Sequence, residues 1–413
     1  MTGIQPKTTT AGAEYTAPAS SPPKGYRAAV AASFLGWTLD AFDYWLVAYA
    51  LTAIAAEFGQ PDKAIAFSIT LTLFSRPIGA VVFGLLADHW GRKKTLMLNL
   101  VFFSLFGVLT GFAQTYTTFL VIRFLFGIGM GGEWGVGSSL AMEKTPKEKR
   151  GLVSGLLQEG YAAGNLLAAL CFFFVFPRWG WRPMFIIGGV PALLALYVRT
   201  YVPESEVWER TRHRDFGAYA RTIFSHWPLL IYLVIFMTLM GFVSHGTQDM
   251  YPTFLKRDWH FTPQRVAIVN IIANFGAIAG GVLFGHFSDR IGRRKAIIGA
   301  LIMGLVVIPA WAFAPSFGIL VLGGVLMQFM VQGAWGVIPV HINELAPDSV
   351  RGFLPGFAYQ CGMAGAGLVT YIEAVFAERM TYSTAMAFTA ATVFSLAAIA
   401  AWFGKERHKV SFG

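Results

Sequence analysis

The stretch that decides the fold is Gly84-Leu85-Leu86-Ala87-Asp88-His89-Trp90-Gly91-Arg92-Lys93-Lys94, because it returns as Gly285-His286-Phe287-Ser288-Asp289-Arg290-Ile291-Gly292-Arg293-Arg294-Lys295 at an offset of 201 residues. The same offset carries Glu143, Pro146, Arg150 and Gly151 onto Glu344, Pro347, Arg351 and Gly352, and Gly132, Trp134 and Gly135 onto Gly333, Trp335 and Gly336. Three separate blocks at one spacing, close to half of the 413 residues, mark a duplicated chain. Parallel repeats of this kind are an architecture of secondary transporters, whose site lies where the two halves meet.

Composition agrees with a membrane setting. Hydrophobic residues make up 55% of the chain and charged ones 13%, about half the roughly 25% of a soluble domain. A span needs about 20 apolar residues, and the runs between Gly, Pro and charge punctuation give twelve: 28–57, 63–87, 95–113, 117–142, 151–176 and 182–201, then 226–255, 263–288, 295–314, 316–343, 352–377 and 381–403. We number these spans 1 to 12. Two pseudo-symmetric six-helix bundles follow, 28–201 and 226–403, joined by a cytoplasmic linker over 202–225. Residues 1–27 lack the apolar core of a signal peptide and read as a disordered cytoplasmic tail, and 404–413 as a second tail. With both termini cytoplasmic, the opposite side holds only Lys63, Arg178, Arg182, Lys256, Arg257, Arg265 and Arg379, while Arg76 and Arg123 fall inside spans. The rest of the 32 Lys and Arg are cytoplasmic, which fixes the orientation by the positive-inside rule. The net charge of +10 is therefore topogenic, and no basic face or block marks a nucleic-acid partner. Cys171 and Cys361 lie in apolar runs and read as small hydrophobes, with no disulfide framework and no metal spacing.

The two G-x-x-x-D-x-x-G-R-[KR]-[KR] loops resemble the signature of the major facilitator superfamily, over essentially the whole chain from residue 28. The resemblance implies an all-α integral membrane fold in which spans 1, 4, 7 and 10 line a central cavity and the halves rock against each other. Asp88 with Arg92, and Asp289 with Arg293, stand at cytoplasmic helix ends, where pairing can tie neighbouring helices and be broken as the cavity opens inward. They are the expected gating residues.

An ionisable side chain within a span costs at least about 2.5–3.5 kcal/mol on insertion scales, so each marks a candidate site. Asp40 and Asp43 on span 1 share one helix face and, at low dielectric, resist ionising together, which suits them to carrying a proton. Span 4 has Arg123 and Glu133, and span 10 has Gln328, Gln332 and Trp335. Arg123 offers a planar fork to a carboxylate, or pairs with an acid on a neighbouring helix. Gly127 and Gly131 follow it as packing residues. The string Gly127 to Gly132 is no dinucleotide loop, because no strand precedes it. Arg76, in Ser75-Arg76-Pro77, is a competing cation whose offset partner is Ala277, and both a structural and a substrate role are open for it. Glu159 and Glu373 lie outside the cavity-lining set.

On span 7, His245, Gln248 and Asp249 stand at i, i+3 and i+4 and face one way, just before Tyr251-Pro252 loosens the helix. The segment resembles the signature of Jen-type lactate and pyruvate permeases of the sialate:proton symporter family, Asn-x-x-[Ser/Thr]-His-x-[Ser/Thr]-Gln-Asp-x-x-x-Thr, with Gly241 in place of the leading Asn. Asp40-Ala41-Phe42-Asp43 is similar to that family's D-[AG]-F-D element, which aromatic-acid and sialic-acid carriers share. The resemblance implies substrate recognition and proton coupling by His245, Gln248 and Asp249. The sequence thus points to a proton-coupled symporter of small monocarboxylates in the plasma membrane, or inner membrane of a bacterium, acting as a monomer. Arg123, His245, Gln248, Gln332 and Trp335 are the expected substrate-binding residues and Asp40, Asp43, Glu133 and Asp249 the proton-coupling ones. The proton is the coupling ion, with no other cofactor and no metal. A sialic or aromatic acid is the alternative substrate. A carboxylate sensor is disfavoured by the short tails, and an enzyme by the lack of a nucleophile and base, metal set or phosphate loop.

Overall fold

A computed structural model describes residues 25–211 and 216–412, and their regular structure is entirely helical. The expected N-terminal tail lies outside the described residues as far as residue 24; Tyr26 and Arg27 already belong to the first helix. Spans 1 to 4 are Tyr26–Glu57, Asp62–Trp90, Arg92–Thr110 and Tyr116–Lys144. Spans 8, 9, 10 and 12 are Pro263–Ile291, Arg293–Ala312, Phe317–Leu345 and Tyr382–Phe403.

The other four spans are broken. Span 5 is Arg150–Gln158 and Gly160–Trp179, span 6 is Arg182–Ile187 and Pro191–Tyr201, and span 7 is Trp227–Gln248 and Tyr251–Arg257. In span 7 the cause is Pro252, which has no N–H to offer the carbonyl of Gln248. Span 11 is Leu354–Gly365 and Gly367–Ala377, and it is not among the eleven helices that are long and apolar enough to cross a membrane by length and composition among the described residues.

Glycine sets the closest helix approaches. A Cβ added at Gly79 would lie 1.8 Å from Ile128 O, and one at Gly280 would lie 2.0 Å from Phe329 O. These two contacts are the same contact in the two halves, spans 2 on 4 and 8 on 10, related by the sequence offset. Small residues allow such backbone contact, which supplies van der Waals packing where lipid offers no hydrophobic drive.

At the end carrying the repeated loops, the halves are tied crosswise. Asp88 accepts the N–H groups of Gly352 (2.9 Å) and Phe353 (3.0 Å) at the start of span 11. Asp289 accepts those of Gly151 (2.9 Å) and Leu152 (3.1 Å) at the start of span 5. Each carboxylate thus satisfies orphan donors at a helix N-terminus, where the helix dipole also favours negative charge. Arg92 pairs with Asp88 and, at 3.2 Å, Glu143; Arg293 pairs with Asp289 at 2.8 Å and Glu344 at 2.9 Å. Arg351–Glu143 at 3.5 Å and Arg150–Glu344 at 3.8 Å cross between the halves.

The segments after each half brace this end. Glu204 accepts Lys93 N–H at 3.0 Å, and Trp208 Nε1 donates to Asp88 O at 2.7 Å. Glu406 accepts the N–H groups of Arg293 and Arg294, each at 3.0 Å, and His408 Nε2 lies 3.0 Å from Asp289 O. The ring of Phe412 sits 3.5 Å from the guanidinium carbon of Arg150 and 3.7 Å from that of Arg351. One aromatic ring therefore bridges the two halves' equivalent arginines.

Leaving buried N–H groups unpaired costs roughly 1–3 kcal/mol, a five- to 150-fold shift in a two-state equilibrium. Asp88→Ala is expected to raise alkylation of a single cysteine at Ala141, buried at this end, by about tenfold or more in a background lacking Cys171 and Cys361. Phe412→Ala, losing a weaker cation–π contact, is expected to give a smaller rise. Unchanged labelling in both variants would mean that these contacts do not hold the end shut.

Candidate functional site: a cavity between the bundles

Two adjoining cavities lie between the halves. The larger, about 470 Å³, is walled by Trp37, Tyr44 and Trp45 of span 1, Thr70, Leu73, Phe74 and Arg76 of span 2, Gln158 and Tyr161 of span 5, Ser244, His245, Gln248 and Asp249 of span 7, Gln332 and Trp335 of span 10, and Tyr359, Met363 and Ala364 of span 11. The smaller, about 290 Å³, shares Trp45, Gln158, Tyr161, Gln248 and Gln332 with it and adds Glu159, Asn165, Asn270, Asn274 and Gln328.

Span 7 brings its signature residues together as the i, i+3, i+4 spacing requires. His245 Nδ1 lies 3.0 Å from Asp249 Oδ2, with both side chains about one-third exposed. Gln248 Nε2 donates to Gln328 Oε1 at 3.0 Å, joining spans 7 and 10. Trp335 turns inward, only 3% exposed, with its Nε1 unpartnered. Tyr359 is stacked on Trp134 at 4.0 Å and stands edge-on to Trp37 and Trp335, so one face of the cavity is aromatic. His245, Gln248, Gln332, Trp335 and Asp249 therefore share one cavity.

Four other sequence-expected residues stand apart. Arg123 is fully buried inside the N-terminal half, its guanidinium carbon 4.2 Å from the centroid of Phe126, and it lines neither cavity. Its three side-chain nitrogens have no hydrogen-bond partner. Asp40 and Asp43 are fully buried with all four carboxylate oxygens unpartnered. Asp43 lies in a glycine cradle: a Cβ at Gly107 would meet its Oδ2 at 2.2 Å, and one at Gly188 its Oδ1 at 2.3 Å. Glu133 is housed likewise, 2.3 Å from a Cβ at Gly36, and is also unpartnered. Asp40 lies within electrostatic reach of Asp43, Arg123 and Glu133, and also of Arg76 in the cavity wall, so these groups form an internal charge cluster of the first half.

The expected lining by spans 1, 4, 7 and 10 is corrected for span 4, which gives no residue to either wall, whereas spans 2, 5, 8, 9 and 11 do. The cation in the wall is Arg76 rather than Arg123. Gln158, Asn165, Asn270, Asn274, Tyr161 and Tyr359 were not singled out from the sequence. The signal available was the amides themselves, polar groups inside apolar spans, with Asn270 and Asn274 one turn apart on span 8. The gating set, Asp88, Arg92, Asp289 and Arg293, sits at the tied end of the bundle, away from both cavities.

The family model described as Major Facilitator Superfamily matches residues 33–248 and 249–412. The "Carboxylic acid transporter protein homolog" of Saccharomyces cerevisiae is 29% identical over 373 residues, which is 84% of this chain but 60% of the yeast protein. The "Sialic acid transporter NanX" of Escherichia coli is 30% identical over 362 residues, 86% of this chain and 88% of that one. Among solved structures, the proton:xylose symporter XylE superposes with a TM-score of 0.76 at 19% identity, over 94% of this chain and 97% of that chain. That last likeness is one of fold. The duplicated bundles, the crosswise ties and the matched model together place the chain: it belongs to the major facilitator superfamily.

Proposed function

We propose that the protein is a proton-coupled symporter of organic acids, of the small monocarboxylate type that the span 7 signature resembles, working by alternating access in the plasma or inner membrane with both termini cytoplasmic. The observation that carries this reading is the convergence of His245, Gln248 and Asp249 with Gln332 and Trp335 on one cavity between the halves. An anion seated there meets hydrogen-bond donors from span 7 and the aromatic wall of spans 1, 10 and 11. The relatives named as carboxylic-acid and sialic-acid transporters support the substrate class.

Coupling follows from the magnitudes. Opposite charges about 4 Å apart at an effective dielectric of 20 attract by about 4 kcal/mol, so anion and proton each favour the other's binding. The unpartnered acids Asp40, Asp43 and Glu133 and the cavity acid Asp249 are the proton carriers in this reading. An uncompensated charge at such depth is costly, which makes proton exchange their natural chemistry. With one proton per monoanion the loaded carrier is neutral, and the ties at Asp88 and Asp289 open and close around it.

The cavity volume favours a second substrate reading. About 470 Å³, with an amide-lined annex of about 290 Å³, is within the 300–1,000 Å³ that drug-sized ligands occupy, so a larger organic acid such as an aromatic or sialic acid competes with lactate for the assignment.

Proteoliposomes given an inward proton gradient are expected to accumulate labelled lactate, with pyruvate competing and His245→Ala reducing uptake by about tenfold or more, the effect of one lost charge-assisted bond. Uptake of sialic or aromatic acid alone would reassign the substrate. A potential of 100 mV would change accumulation by roughly fiftyfold if one net charge moved; less than a twofold change is expected. Asp43→Asn and Gly107→Ala, which removes the space of the Asp43 carboxylate, are expected to abolish uphill uptake while leaving lactate counterflow. Loss of both activities together, with normal folding, would place Asp43 outside coupling.

A further inference from the structure

Arg76 is a buried cation with an open edge. Its backbone is held in place by span 4: a Cβ at Gly131 would lie 1.9 Å from Arg76 O, and one at Gly127 would lie 2.1 Å from Ser75 Oγ and 2.3 Å from Thr72 O. The glycine ladder therefore seats the turn of span 2 that bears the arginine. From there the side chain reaches the larger cavity, which it lines opposite His245 and Gln248 of the other half while remaining only 5% exposed. The Trp37 ring centroid is 5.9 Å from its guanidinium carbon.

The unsatisfied atoms have a particular arrangement. Nε and Nη2 are buried without a hydrogen-bond partner, and Tyr359 lines the same cavity. Nε–H and Nη2–H project in parallel from one edge of the guanidinium plane, the fork that fits two oxygens of one carboxylate. No ion pair occupies it among the described residues. A role repeated for the fold's sake is excluded by the duplication, since Ala277 stands at the equivalent position. Two unpaired donors of a buried cation are costly to leave empty, and a ligand carboxylate is the group whose shape and charge match both.

We propose that Arg76 anchors the carboxylate of the transported acid through Nε and Nη2, so that the bound anion joins span 2 of the first half to span 7 of the second. The assignment rests on the organic-acid reading above and adds the residue that selects an acid over its neutral analogue. Because the anchor and span 7 belong to different halves, an anion held by both draws the halves together around it.

The test is binding of lactate, benzoate and N-acetylneuraminate, each against its neutral amide, to the purified full chain by calorimetry, comparing the parent with Arg76→Gln and Arg76→Lys. The parent is expected to prefer at least one acid over its amide. Arg76→Gln is expected to weaken the acid about ten- to a hundredfold, as for removal of a charge-assisted bond, and to bring the acid-to-amide ratio close to one. Arg76→Lys, which keeps the charge and loses the fork, is expected to fall between and gives the readout should the Gln variant fail to fold. Equal weakening of acid and amide, or an unchanged ratio in the lysine variant, overturns Arg76 as anchor while leaving the organic-acid reading intact. A parent that binds none of the acids overturns that reading and the anchor with it.

Discussion

The structure depends on two carboxylates that leave their own half to cap a helix of the other. Asp88 takes the first N–H groups of span 11 and Asp289 those of span 5. Each carboxylate is itself neutralised by an arginine one turn on. Removing one partner of a buried ion pair costs about 3–5 kcal/mol because the other charge is left uncompensated. The ties can therefore be made or released only as sets, which is what a two-state gate requires. They tie the halves at one end of the bundle, away from the inter-bundle cavity.

Duplication explains why this gate is legible and the binding site is less so. Asp88, Arg92, Asp289 and Arg293 are visible in sequence because they occur twice at one offset, and the structure gives both copies the same job. The candidate binding residues occur once. Helical spacing puts His245, Gln248 and Asp249 on a common face, and the cavity confirms that grouping. Spacing says nothing of how a helix is rotated toward its neighbours, so Arg76 and Arg123, each a lone arginine in an apolar span, look alike. What separates them is tertiary: Gly127 and Gly131 seat span 2 so that Arg76 meets the cavity, while Arg123 faces the interior of its own half. The breaks of spans 5 and 11, and the reach of Phe412 to both Arg150 and Arg351, depend equally on packing that no local pattern encodes.

The halves have diverged chemically on a shared scaffold. The first holds the internal acids and, in Arg76 and Arg123, two arginines with unpartnered nitrogens, and glycines at 36, 107 and 188 make the room for the Glu133 and Asp43 carboxylates. The second brings histidine, amides and tryptophan to the cavity wall. In the proposed reading most of the proton-exchanging acids belong to the first half, with Asp249 the exception, while substrate recognition is shared across the boundary between the halves. Electrostatic attraction would link the two in that reading, an anion in the cavity and a proton on the nearby acids each lowering the cost of the other in a low-dielectric interior.

The most direct measurement is the internal pH of proteoliposomes, reported by a trapped dye, when lactate is added outside with no pre-existing gradient. Entry of one proton with each anion acidifies the lumen faster and further than in protein-free vesicles, in step with entry of label. Label that enters with no excess acidification would show that the anion moves without the proton, and would contradict the coupling of cavity and acid cluster.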